Sequence, residues 1–96
     1  MIRLAKVVVF LKVLPVDVDV DIEALKDKIQ DAIAKLGEGF SLQSYKIEPI
    51  AFGLKALKLS ILIPEETEGG TYSLEEAIKN VEGVGEVEVE FVSRLS

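Results

Sequence analysis

Apolar and β-branched residues run almost unbroken from Arg3 to Leu14, a pattern that predicts a strand. The odd positions Ala5, Val7, Val9, Leu11 and Val13 form one apolar face, while the even positions carry Leu4, Lys6, Val8, Phe10 and Lys12. One greasy face and one mixed face suit a strand in the middle of an open sheet. Pro15 stops it, because proline has no amide hydrogen to give to a ladder. The segment Val16–Asp21 alternates valine with aspartate, and then the period changes. Ile22, Leu25, Ile29, Ala32, Ile33 and Leu36 fall on one stripe of an α-helix. Asp21 is the expected N-cap, Glu23 and Asp27 suit the positive end of the helix dipole, and Gly37 and Gly39 end the helix.

The second half of the chain repeats the theme. Ser41–Glu48 predicts a strand with Leu42, Tyr45 and Ile47 as its bulky members. Leu54–Ile63 alternates most clearly, with Leu57, Leu59, Ile61 and Ile63 against Ala56, Lys58 and Ser60. Pro64 and the acidic stretch from Glu65 to Gly70 read as a loop. Ser73-Leu74-Glu75-Glu76 has the form of a capping box, opening a short helix whose stripe is Leu74, Ala77, Ile78 and Val81, with Gly83 as its stop. The last strand, Glu86–Leu95, sets Glu86, Glu88 and Glu90 against Val87, Val89 and Phe91.

The order is βαββαβ, two βαβ halves joined by a hairpin. That is an α+β, ferredoxin-like sandwich: a four-stranded antiparallel sheet with two helices on one face. It places the last strand beside the first, with the three glutamates on the open face near Lys6 and Lys12 as cross-strand pairs. Residues 1–96 read as a single domain, without linker, repeat or low-complexity tract.

Composition narrows the function. The 96 residues include 17 acidic and 11 basic side chains and no His or Cys, so thiol nucleophiles, Cys/His zinc sites and His general bases are excluded. A net charge of −6 speaks against direct nucleic-acid binding, which uses a basic patch. No apolar run approaches the ~20 residues of a membrane span, and no signal-peptide pattern opens the chain, so a cytoplasmic protein without membrane contact is expected. Gly69-Gly70 lacks the following Gly-Lys-Ser/Thr of a phosphate loop and is crowded by Glu65, Glu66 and Glu68. Asp17, Asp19 and Asp21 lack the glycine and distant bidentate glutamate of a calcium loop. The serines have no His to activate them, and no Ser-x-x-Lys run supports a lysine-based nucleophile. No metal, no cofactor and no catalytic residue is expected.

The hairpin loop stands apart. Turns favour Gly, Asn, Asp and Ser, yet Ile50-Ala51-Phe52 is apolar. Two placements follow from the residues alone. Phe52 folds inward and caps the core, or it stands outside as an aromatic anchor presented by Gly53. Arg94 has two readings as well, a solvated end charge or a guanidinium offered to a partner's carboxylate or phosphate site.

The run Glu48-Pro49-Ile50-Ala51-Phe52-Gly53-Leu54-Lys55-Ala56-Leu57 resembles the guanine-nucleotide exchange domains of the translation elongation factor 1-beta family, in their compact archaeal form. The resemblance spans nearly the whole chain. It includes Lys12-Val13-Leu14-Pro15, the acidic lead-in from Asp17 to Leu25, Gly69-Gly70 with Ser73-Leu74-Glu75-Glu76, Val81-Glu82-Gly83-Val84 and Val92-Ser93-Arg94-Leu95. It implies the same βαββαβ fold and a partner, elongation factor 1-alpha, whose GDP release this chain would speed without chemistry of its own. It also implies partner-binding roles for Ile50, Ala51, Phe52, Gly53, Arg94 and Leu95. In the family the hairpin aromatic presses into the GTPase near its nucleotide site, and a basic residue before the C-terminal leucine intrudes on the magnesium site. Phe52 matches the first, and Arg94 matches the second where many relatives carry lysine. A monomer is expected in isolation. The competing class is a ferredoxin-like small-ligand or dimerisation module without exchange activity, pairing through the open face that holds Val8 and Phe10.

Overall fold

A computed structural model of the chain describes residues 6–64 and 71–95. Alternation builds the sheet from β1 (Lys6–Pro15), β2 (Ser41–Pro49), β3 (Lys55–Pro64) and β4 (Val84–Leu95). The strands lie in the order β2-β3-β1-β4, all neighbours antiparallel. The first and last strands are therefore adjacent, as the split βαβ pattern requires. Arg3–Ala5 of the expected first strand and the acidic Gly69-Gly70 loop lie outside the described residues.

The odd residues of β1 and β3 face the helices. Val9, Leu11, Val13, Leu57, Leu59, Ile61 and Ile63 are buried there with Leu25, Ile29 and Ile33 of α1 (Ile22–Ala34) and Leu74 and Ile78 of α2 (Tyr72–Lys79). Asp21 caps α1 as expected, its Oδ1 accepting from the amides of Glu23 at 3.0 Å and Ala24 at 3.2 Å. The second helix departs from expectation. It opens two residues before the expected start, with Thr71 at the N-cap and Ser73 inside the first turn. The Thr71 hydroxyl donates to Glu75 Oε2 at 3.0 Å and makes no cap bond to the helix backbone, so the N-cap role expected of Ser73 falls to Thr71 without a capping box. The spacing of a capping box recurs too readily in Ser/Thr/Glu-rich sequence to fix the first turn by itself.

The last strand also differs. Phe10 faces Phe91 across the β1–β4 pair, but Leu11 faces Val89, so Glu90 has no register partner on β1. This bulge shifts every later side chain by one position. Val87 and Val89 pack against the core as the alternation predicts, whereas Phe91 turns to the open face. There its ring meets that of Phe10 at 5.4 Å between centroids, tilted by 48°. The acidic stripe is rearranged accordingly. Glu88 opposes Lys12, but Glu86 opposes Leu14 and Lys6 opposes Leu95. Glu90 instead reaches across to Lys58 of β3 at 3.0 Å. Lys58 lies directly opposite Lys12 on one side and Lys46 on the other. Three like charges in one cross-strand row repel, and the carboxylates of Glu88 and Glu90 offset that repulsion.

Candidate functional site

The β2–β3 hairpin ends where Pro49 pairs with Lys55. Two backbone bonds of 2.9 Å close the loop, Ile50 N–H to Leu54 O and Leu54 N–H to Ala51 O. The two central residues of the inner turn, Phe52 and Gly53, have φ of +55° and +81°. Two successive positive φ values are those of a type I′ turn, which favours Asn-Gly. Glycine meets the second position without strain. Phenylalanine does not meet the first, because its Cβ crowds the backbone in the left-handed region. The ring earns nothing from the core in exchange: Phe52 is 97% exposed, and Ile50 beside it is also exposed. The inward placement is thus overturned. The β-ladder carries the loop past the end of the core, and the turn aims residue 52 outward.

Arg94 is exposed near the end of β4, and its register partner is Val7. Leu95 follows at the last described position of the strand, opposite Lys6. The two halves of the expected site are therefore not brought together. Arg94 lies level with Val7, while the hairpin rises beyond Leu57, which lies level with Val13. At about 3.3 Å per strand residue, Val7 and Val13 alone are roughly 20 Å apart, and Phe52 lies further out. Phe52 and Arg94 occupy opposite ends of the sheet. A partner that contacts both must span the molecule.

The electrostatics between the two ends are mild. The Glu90 carboxylate, hydrogen-bonded to the Lys58 ammonium, holds that lysine above its ordinary value of 10.5. Asp27 does the same for Lys26, whose ammonium also lies 4.8 Å from the centre of the Tyr45 ring. Tyr45 in turn donates its hydroxyl to Glu23 Oε1 at 3.1 Å, tying β2 to the start of α1. Among the described residues no group of three or more acidic side chains is placed to hold a metal ion, and none of the described helices is long and apolar enough to cross a membrane. Asp17 and Asp21 have local tasks instead, Asp17 Oδ1 accepting from the Asp19 amide at 2.8 Å and Asp21 capping α1.

Reasoning from sequence alone misses the neighbours of the hairpin. Val16 and Val18 are 61% and 53% exposed at the same end of the sheet. The signal that marks the hairpin also marks them, namely bulky apolar residues where a turn is expected.

Comparison with known proteins adds a family to this geometry. The profile described as the EF-1 guanine nucleotide exchange domain matches residues 8–95. The chain is 59% identical over 93 residues to elongation factor 1-beta of Staphylothermus marinus, covering 97% of this chain and 100% of the relative. It is 52% identical over 93 residues to elongation factor 1-beta of Desulfurococcus amylolyticus, with 97% and 100% covered. To that of Aeropyrum pernix it is 51% identical over 92 residues, with 96% and 99% covered.

Proposed function

Since the chain belongs to the family of EF-1 guanine nucleotide exchange domains, we propose that it acts as a single exchange domain over residues 1–96, promoting GDP release and GTP loading on translation elongation factor 1-alpha. The observation that carries the reading is Phe52, a large ring held in a strained turn and left almost wholly in solvent. Strain of this kind persists where a function needs it, and aromatic side chains dominate protein–protein hot spots.

An exchange factor makes and breaks no bonds, which accords with a chain that has neither His nor Cys. It must bind the nucleotide-free GTPase more tightly than the nucleotide-bound form. That difference in affinity alone loosens the nucleotide, and by linkage the nucleotide loosens the factor to the same extent. The separation of the two ends divides the work. Arg94, with Leu95, is offered at the partner's nucleotide and magnesium site, where a guanidinium competes with the ion for the phosphates. Phe52, flanked by Ile50, Ala51 and Gly53, anchors a second point at the far end of the sheet. Anchoring at one end positions the cation at the other. The protein works as a monomer in the cytoplasm, without cofactor or direct nucleic-acid contact.

Two variants test this division, each measured for GDP release and for docking on the nucleotide-free GTPase. Arg94→Ala should slow release while docking persists, and Phe52→Ala should weaken docking. Loss of docking alone on removing Arg94 would contradict the assignment. The paired Phe10 and Phe91 rings on the open sheet face favour a second reading, a dimerisation or small-ligand module. It requires a concentration-dependent dimer and no effect on GDP release.

A further inference from the structure

The Val-Asp alternation after Pro15 is left unused by the proposed function. Val20 turns inward and packs against the core, whereas Val16 and Val18 stay in solvent. They are not loose. Val16 N–H donates to Gly83 O at 2.9 Å, and the Asp19 amide is held by Asp17 Oδ1 at 2.8 Å. Gly85 allows this seating, since a Cβ there would stand 2.9 Å from Pro15 O. The segment also borders the hairpin. Val18 Cγ1 lies 3.8 Å from where a Cβ on Gly53 would be, and Val18, Gly53, Pro15, Ile47 and Lys55 share a recess of about 260 Å³. Val16, Val18, Ile50 and Phe52 thus gather at one end of the molecule and are half of the large apolar side chains exposed among the described residues. Scattered exposed valines need no explanation, but a gathered patch with a polar rim marks an interaction surface. The recess beside it is acidic: Asp17, Asp21 and Glu23 line it, against the one cation of Lys55.

We propose that the β1–α1 segment is a second apolar contact beside Phe52 on the same GTPase, and that it meets an apolar hollow bordered by Lys or Arg side chains. The inference rests on the exchange reading for the identity of the partner. Continuity with the hairpin tip argues for one shared occupant, and the acidic recess gives that occupant its charge.

The test is catalysed GDP release by the full chain carrying Val16→Ser and Val18→Ser together, with the GTPase·GDP concentration varied. The KM for the GTPase should rise about tenfold or more, as for the loss of one or two buried valine contacts, with kcat near that of the parent. Asp17→Asn, which keeps the acceptor for the Asp19 amide, should flatten the salt dependence of association. Should the double variant fail to fold, Val18→Thr keeps the shape, and a smaller rise in KM is expected of it. Parental kinetics in the serine variant, alongside an impaired Phe52→Ala, would overturn the inference and leave the exchange reading standing. A change in self-association with KM unmoved would also overturn it, by making a second copy the occupant. Failure of the unaltered chain to speed release would instead overturn the exchange reading.

Discussion

Replacing Phe52 by Asn should make the protein more stable and less active at once. Phe52 holds φ at +55°, a region that costs an ordinary L-residue roughly 1–2 kcal/mol. Asn tolerates it far better, through its short side chain and local hydrogen bonding. The ring is 97% exposed, so no core contact is lost with it. A gain of about 0.5–1 kcal/mol follows, which for a domain of this size raises Tm by roughly 2–8 °C. Phe52→Ala keeps a Cβ and its crowding, so it should melt close to the parent. The expected order of stability is therefore Asn above Ala, with Ala near Phe, by thermal denaturation followed through circular dichroism. The order of exchange activity should be reversed, with Phe far above both. A fall of several degrees in both variants would refute the reasoning, because it would mean the ring is packed.

Ile29 is fully buried in α1 against the sheet, and Ile29→Ala should cost about 2–5 kcal/mol by emptying that site, read by urea unfolding. Gly85→Ala would push its Cβ to 2.9 Å from Pro15 O and 3.1 Å from Val16 Cα. Backbone cannot yield as a flexible side chain does, so a loss of about 1–3 kcal/mol is expected, with chemical-shift changes centred on residues 15–18. Because the folded-state value of Lys58 is raised by Glu90, the small stabilisation from this pair is complete below the ordinary lysine value of 10.5 and fades as pH rises past it. Glu90→Gln should flatten that alkaline fall and lower stability near neutral pH by the same small amount, parent and variant converging at high pH, the amount being small because the pair is solvent-facing.

The sheet and α1 were legible in the chain because each carries one clean period. Leu57 to Ile63 repeats every second residue and is buried as read; Ile22, Leu25, Ile29 and Ile33 are buried along α1, which closes at Ala34, before the expected Leu36. The errors arise where local pattern and tertiary packing disagree. Phe91 continues the alternation of Val87 and Val89, but the bulge at Glu90 lets it join Phe10 on the far face. A bulge adds one residue and leaves no mark in a hydrophobic pattern. The start of α2 differs because Thr71 and Ser73 are equally plausible caps by residue type, and the helix opens at Tyr72 without a side-chain cap bond from Thr71. At the site, the apolar hairpin was visible as an anomaly, but its outward direction depends on the positive φ of Phe52. The distance between Phe52 and Arg94 was hidden for a different reason: it is set by strand register, which a sequence motif does not carry.

The most direct test is the rate at which fluorescent GDP leaves elongation factor 1-alpha when excess unlabelled nucleotide is added, with this protein at a small fraction of the GTPase concentration. The account predicts acceleration that grows with the amount of added protein while every molecule of factor turns over many times. An unchanged rate in the presence of the folded protein would contradict it.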